Sequence, residues 1–154
     1  MLIELWVLYL VESKMLKLEE FNRTSKRHED IINSWWNEVE DHSFSEEKQF
    51  SSYLSTDHGF MAFKDDKPIC AVFLYPIHGS PIAIMGFPIS NKEVSKEIRR
   101  EALDFLVAGL EKKARVLQYK ILFGYAGNTV AKQFYSRSGF MKATENITNF
   151  VKKL

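Results

Sequence analysis

A mixed α/β (α+β) fold, with a mostly antiparallel sheet, one parallel strand pair and helices on both faces, is predicted by three features. The first is a hairpin, residues 59–63 and 69–75 around the polar turn Lys64-Asp65-Asp66-Lys67-Pro68. The second is a long helical period between two apolar strand-like runs, the pattern of a crossover that leaves its flanking strands parallel. The third is the stretch Gly124 to Phe140, GYAGNTVAKQFYSRSGF, which reads as a strand end, a turn, a short helix and a Gly-Phe restart.

The chain has 154 residues and a net charge of +1, so it is read as one domain at 15–154, large enough for its own core. The near-zero charge gives no support to a nucleic-acid partner. The single cysteine, Cys70, excludes an internal disulfide and fits a reducing cytoplasm. It sits in the apolar run ICAVFLY and reads as a buried hydrophobe rather than a nucleophile. Residues 2–11 are mostly apolar but shorter than the roughly 18 that span a bilayer. They also lack the flanks of a signal peptide. Residues 1–14 are therefore expected to be an extension or an extra edge strand, with no membrane partner.

From Met15 to Phe21 apolar and polar residues alternate, as in a half-buried strand. A helix is predicted from Ser25 to Glu40, because Ile31, Ile32, Trp35, Trp36 and Val39 form one stripe. Trp35 and Trp36 read as core plus a partly exposed ring. Ser43 or Ser45 is expected to cap a second helix with Phe50, Tyr53 and Leu54 inside. After the hairpin and the turn at 76–81, Pro81 to Ile89 forms another strand. Its Gly86-Phe87-Pro88 interruption implies a bulge, since Pro88 cannot donate to a ladder.

Val94, Ile98, Ala102, Phe105, Leu106, Leu110 and Ala114 make a continuous helical stripe over 91–116. Ser90-Asn91-Lys92-Glu93 fits a capping box at its start. Leu117 to Tyr125 reads as a strongly apolar strand, buried on both faces if it is central to a sheet. Asn128 is placed to cap the next helix, with Ala131, Phe134 and Tyr135 inside and Gly139 as its left-handed exit. Ile147 to Val151 is read as a last strand.

The order of elements over residues 15–151, and the spacing Asn128, Ala131, Phe134, Tyr135, Gly139, Phe140, resemble the GCN5-related N-acetyltransferase superfamily. The resemblance implies the acyl-CoA N-acyltransferase-like fold, acetyl-CoA as cofactor, and direct transfer to a small-molecule or protein amine in a ternary complex. It implies that Tyr135 protonates the departing thiolate and that Asn128 positions cofactor or substrate. A phenol of pKa about 10 beside a thiol of pKa about 8.5 needs only proximity to assist. The resemblance also implies that the parallel strand pair is splayed and that the pantetheine arm enters the gap, so Phe87 and Ile89 are the backbone groups for that arm, and Phe134 lies beside the cofactor. An ordinary edge bulge, a plain helix cap and a core tyrosine are the bland readings of the same residues.

This sequence departs from the family at the pyrophosphate loop. The expected Q/R-x-x-G-x-G/A is replaced by ISNKEVSKEIRREAL, which contains no glycine. Close approach of backbone N–H groups to phosphates normally needs those glycines. Lys92, Lys96, Arg99 and Arg100 are the side-chain charges that stand in. Some phage proteins of the superfamily keep the Gly-Phe ending with an altered loop, and one lineage modifies DNA bases. The alternative reading is thus a degenerate binding or nucleic-acid-modification accessory module, of phage type.

Charge is distributed unevenly. Residues 29–66 hold Glu29, Asp30, Glu38, Glu40, Asp41, Glu46, Glu47, Asp57, Asp65 and Asp66 against Lys48 and Lys64. Residues 112–144 hold Lys112, Lys113, Arg115, Lys120, Lys132, Arg137 and Lys142 with no acid. A cationic amine is drawn to the first half and an anionic cofactor to the second. His78, Glu38 and Asp41 are candidate bases. The histidines lack metal-ligand spacing, so no metal is expected. A homodimer is left open.

Overall fold

Two acidic residues set the centre of the sheet. Asp65 and Asp66 adopt φ of 50° and 62°, the left-handed pair of a two-residue hairpin turn. They join strands that the sequence had already marked as apolar. The structure, a computed structural model, describes residues 16–36, 56–125, 129–146, 148 and 152. In chain order its elements are β1 (Lys17–Glu20), α1 (Lys26–Trp36), β2 (Phe60–Lys64), β3 (Lys67–Pro76), β4 (Ile82–Ser90), α2 (Lys96–Val116), β5 (Ile121–Gly124) and α3 (Thr129–Arg137).

The strands lie side by side in sequence order. Neighbours from β1 to β4 are antiparallel, and β5 joins β4 in parallel after the α2 crossover. Alternation along β3 sends Cys70, Val72 and Leu74 into one core and Ala71 and Phe73 into another. On the first face lie Ala102, Leu106 and Leu110 of α2 and Phe134 and Tyr135 of α3. On the second, α1 contributes Ile32, Trp35 and Trp36. Burial of each large side chain contributes about 1.5–3 kcal/mol, so both faces stabilise the sheet.

Several boundaries differ from the sequence reading. Trp35 and Trp36 are both buried, with neither ring partly exposed. The helix predicted over 91–116 begins at Lys96, capped by Ser95, whose Oγ accepts from the Ile98 N–H at 3.4 Å. The Asn91 side chain instead accepts from Glu93 N–H at 3.0 Å and donates to the Pro68 carbonyl at 3.2 Å. It stitches the end of β4 to the start of β3, so the predicted capping box is not formed.

The strand predicted from Leu117 shrinks to Ile121–Gly124 because α2 claims the residues before it. Tyr119 N–H returns to the Ala114 carbonyl and Gln118 N–H to Arg115, with Gln118 at φ 68°. This is a Schellman ending with glutamine in the left-handed position. Among the described residues β5 ends the sheet rather than lying at its centre, and Ile121 and Phe123 are 49% and 39% exposed.

Helix α3 ends in the same way, with Phe140 N–H on the Tyr135 carbonyl, Gly139 N–H on Ser136 and Gly139 at φ 83°. The predicted glycine exit is therefore present. The N-terminal segment at 1–14, the end of the first helix at 37–40, the helix expected after Ser43 and Asn128 fall outside the described residues. Of Ile147–Val151 only Thr148 is described, and it is not in a strand. Among the described residues no helix is long and apolar enough to cross a membrane.

Candidate functional site

Strand β4 is longer than its parallel partner, and that inequality makes the site. The β4–β5 ladder pairs Ile82 with Ile121, Ala83 with Leu122, Ile84 with Phe123 and Met85 with Gly124, while β4 continues to Ser90. On its other side β4 stays paired with β3 throughout, Gly86 opposite Phe73 and Ile89 opposite Ala71. The register slips between these pairs, so Phe87 and Pro88 together face Val72. That extra residue is the bulge expected at Gly86-Phe87-Pro88. A bulge bends its strand and raises its twist, and here it lies just past the last β4–β5 pair. Among the described residues, the β4 backbone past Met85 has no partner on its β5 side, and this leaves an open step, the wedge, at the end of the parallel ladder.

Tyr135 reaches the apex of the wedge from α3. Its hydroxyl donates to the Met85 carbonyl at 3.4 Å, a long hydrogen bond, and accepts from the Tyr125 backbone N–H. Burial pushes the phenol above its ordinary pKa, against an opposing pull from that N–H. At neutral pH it therefore holds its proton. The ring can approach β5 this closely because residue 124 is glycine. A Cβ there would collide with ring atoms of Tyr135. Phe134 and Phe140 back the ring at centroid distances of 5.3 and 5.1 Å, the second edge-on. The Gly139 turn is what folds Phe140 back under the helix.

The other sequence-predicted residues divide into three groups. Phe87 and Ile89 contribute backbone to the run of β4 that has no partner on its β5 side among the described residues, and the Ile89 side chain is buried in the α1 core. Lys96, Arg99 and Arg100 lie in the first turns of α2, directly after that strand. Lys96 and Arg100 are exposed, whereas Arg99 is half-buried and its Nε has no hydrogen-bond partner among the described residues. A buried guanidinium nitrogen without a partner is a ready anion contact. The first-turn N–H groups of Lys96 and Glu97 have no acceptor within the helix either. The third group lies away from the wedge or outside the described residues. His78 is exposed in the β3–β4 turn, while Glu38, Asp41 and Asn128 fall outside.

Cys70 is fully buried, and burial pushes its thiol strongly upward, so it is no nucleophile. Tyr75 on β3 is likewise raised by burial. A cavity of about 260 Å³ lies between α2 and the end of α3, lined by Asp104, Val107, Ala108, Glu111, Arg137 and Ser138. Tyr135 and the bulge are not in its wall, and the Asp104–Arg137 ion pair at 2.9 Å ties its sides together. At the wedge, by contrast, a β4 edge with no partner on its β5 side among the described residues lies beside a protonated phenol.

Sequence reasoning named Tyr135 but missed the Met85 carbonyl, the Tyr125 N–H and the role of Gly124. A glycine inside the apolar run ILFGY was the available signal, because such a glycine often marks close approach of another group.

No family model matches this sequence, and no curated protein matches it. Solved structures do match by fold. The aminoglycoside acetyltransferase AAC(6')-Iy, in complex with a bisubstrate analogue built on CoA, superposes with a TM-score of 0.65 at 15% identity, covering 90% of this chain and 99% of that one. The ribosomal-protein-S18-alanine N-acetyltransferase from Escherichia coli gives 0.58 at 18% identity, over 84% of this chain and 80% of that one. N-acetylglutamate synthase from Neisseria gonorrhoeae, complexed with coenzyme A and L-arginine, gives 0.65 at 14% identity, over 85% of this chain and 28% of that one. The chain has the acyl-CoA N-acyltransferase fold that these GCN5-related acetyltransferases share.

Proposed function

We propose that this protein is an N-acetyltransferase that uses acetyl-CoA to acetylate an amine by direct attack in a ternary complex. The observation that carries the reading is the coincidence of three things at one point. Among the described residues the parallel ladder stops at Met85–Gly124, β4 runs on past it through a bulge, and the Tyr135 hydroxyl stands at the stop. When bound, acetyl-CoA supplies a thioester whose sulfur departs as a thiolate.

The residues present fit such a donor. The backbone of Phe87 and Ile89 offers an extended amide chain the donors and acceptors that β5 leaves unused beyond Gly124. Arg99, with its orphaned Nε, and Lys96 and Arg100 supply charge for phosphates where the loop lacks glycine. Phe134 and Phe140 hold the Tyr135 ring, and Tyr135 gives its proton to the leaving sulfur. Asn128 is assigned to positioning. The C–N bond forms as the C–S bond breaks, and the amine's surplus proton leaves to solvent or to a base.

Solved neighbours act on aminoglycosides and on a ribosomal-protein alanine. Those acceptors support an amine for this chain as well, taken from the α1 side, where acidic residues concentrate in the sequence. Calorimetric titration with acetyl-CoA tests the reading most simply. Binding in the micromolar to millimolar range is expected, and no heat at millimolar donor overturns it.

A second reading, a catalytically degenerate binding module, is favoured by the loop between β4 and α2. There Asn91 Oδ1 and Ser95 Oγ already occupy the Glu93 and Ile98 N–H groups. Its nucleic-acid version is weakened by ion pairing on the basic side. Lys113 pairs with Glu20, Arg137 with Asp104 and Lys142 with Glu145. DNA binding that falls steeply with salt is the result that favours this version over the first.

A further inference from the structure

We infer that the Tyr135 hydroxyl is parked on the Met85 carbonyl in the ligand-free protein and is released to the thioester sulfur when an extended amide chain takes that carbonyl over. The inference rests on the acetyltransferase reading and adds a step to it. An acid committed to a backbone acceptor is not free to protonate a leaving group at the same moment. Tyr135 is so committed: its single O–H points at Met85, and its oxygen accepts from Tyr125 N–H.

The commitment is a shallow one. At 3.4 Å the bond lies well beyond the usual O–H···O range of about 2.5–3.0 Å. The Met85 carbonyl also sits at a special place. It belongs to the last β4 residue that β5 pairs, so it is the first acceptor met by any strand-like chain extending the ladder along β4. Such a chain brings an amide N–H, a donor well suited to a ladder carbonyl. Losing Met85 leaves the phenol in a buried site with its proton and no acceptor, which is costly unless a new acceptor lies in reach. The leaving sulfur is that acceptor. Ring rotation is not needed, because Gly124, Phe134 and Phe140 hold the ring plane and only the hydroxyl hydrogen must turn. Arrival of the donor thus arms its own acid, and the proton stays masked until then.

The sequence makes this directly measurable. Met85-Gly86 is the one Met-Gly step in the chain. Labelling methionine carbonyls with carbon-13 and glycine nitrogens with nitrogen-15 therefore gives a single carbonyl–amide correlation, that of Met85. Ligand-free Tyr135→Phe should move this carbonyl upfield, as a carbonyl that has lost a hydrogen bond. Saturating coenzyme A should return it downfield in the variant and leave it near its starting value in the parent, where one donor replaces another. Calorimetry on the same samples should show coenzyme A binding the variant as tightly as the parent or up to roughly tenfold more tightly, since no hydroxyl has to be displaced.

An unchanged carbonyl in ligand-free Tyr135→Phe overturns the parked state. A carbonyl that stays upfield in the variant once coenzyme A is bound overturns the handover, as does weaker binding to the variant. Absence of coenzyme A binding in both proteins instead overturns the acetyltransferase reading, and with it the handover. The ligand-free comparison still decides the parked state in that case.

Discussion

Gly124 decides where the phenol stands. Alanine at this position puts a Cβ into the Tyr135 ring, which Phe134 and Phe140 prevent from retreating. Overpacking of this kind costs about 1–3 kcal/mol, and it lifts the hydroxyl off the wedge apex. We expect Gly124→Ala to lower the melting temperature by several degrees and to reduce acetyl transfer by more than it reduces donor binding, checked by thermal melts and steady-state rates. Burial leaves a second mark on single residues. The Cys70, Tyr75 and Tyr135 acids are all raised by desolvation. A folded-state pKa above the unfolded one means that the native protein holds protons the unfolded chain gives up. Stability is then intact below the unfolded values and falls as pH climbs past about 8.5 for the thiol and about 10 for the phenols. Melting temperatures should decline from pH 8 to pH 10.5. Cys70→Ala should melt lower at pH 7 but lose less between pH 7 and 9.5. Tyr135 was legible in the sequence because its motif fixes type and spacing. Its partner Met85 was not, because a backbone carbonyl leaves no trace in residue identity.

At the scale of elements, helix ends were the hardest features to read. Two helices finish in the same Schellman geometry, one with Gly139 at φ 83° and one with Gln118 at φ 68°. The glycine announced its turn, whereas the glutamine did not, and the apolar LQYKIL that follows was read as strand. A side chain in the left-handed region costs about 1 kcal/mol relative to glycine. Gln118→Gly is therefore expected to stabilise the protein by up to about 1 kcal/mol, or about 2–4 °C. No gain in a thermal melt counts against that account of the α2–β5 corner. At the other end of α2, Ser90 to Glu93 has the composition of a capping box, but Asn91 is drawn to the Pro68 carbonyl and the cap moves to Ser95. Tertiary pairing overrode a local motif. A buried clamp between β1 and α1 was missed altogether. Asn22 N–H donates to His28 Nδ1 at 3.1 Å, which puts the ring proton on Nε2, facing Glu19 Oε2 at 3.1 Å. Burial pushes the Glu19 carboxyl up, but the His28 hydrogen bond with the Arg27 and Lys17 charges outweighs it and leaves the group below its ordinary value. His28→Leu strands the Asn22 N–H and leaves Glu19 only its Arg27 and Lys17 partners, at about 1–3 kcal/mol, and urea titration should show the loss.

For the whole molecule, strand order was the most legible property, because it follows from patterns longer than any boundary error. A tight hairpin forces antiparallel neighbours, and a long helix between two strands forces a parallel pair. Neither inference depends on whether β5 starts at Leu117 or Ile121. What the pattern could not reveal is how stability is shared across the sheet. Strands β2, β3 and β4 supply most of the fully buried side chains, including Met61, Phe63, Val72, Phe73, Leu74 and Met85, whereas β5 exposes Ile121 and Phe123. Local opening free energies follow buried contact density. The ligand-free protein should therefore exchange amide hydrogens slowest in β2–β4 and the facing turns of α2, and faster in β5. A donor bound as proposed would add hydrogen bonds to β4 beyond Met85 and to the start of α2. Hydrogen exchange with and without acetyl-CoA should show new protection confined to residues 87–90, 96–100 and the neighbourhood of Tyr135. Protection centred instead on Asp104, Glu111 and Arg137 would place the ligand in the cavity between α2 and α3 and remove the wedge from the mechanism. Protection spread evenly over the sheet would point to general stabilisation rather than to a chain laid along one strand edge.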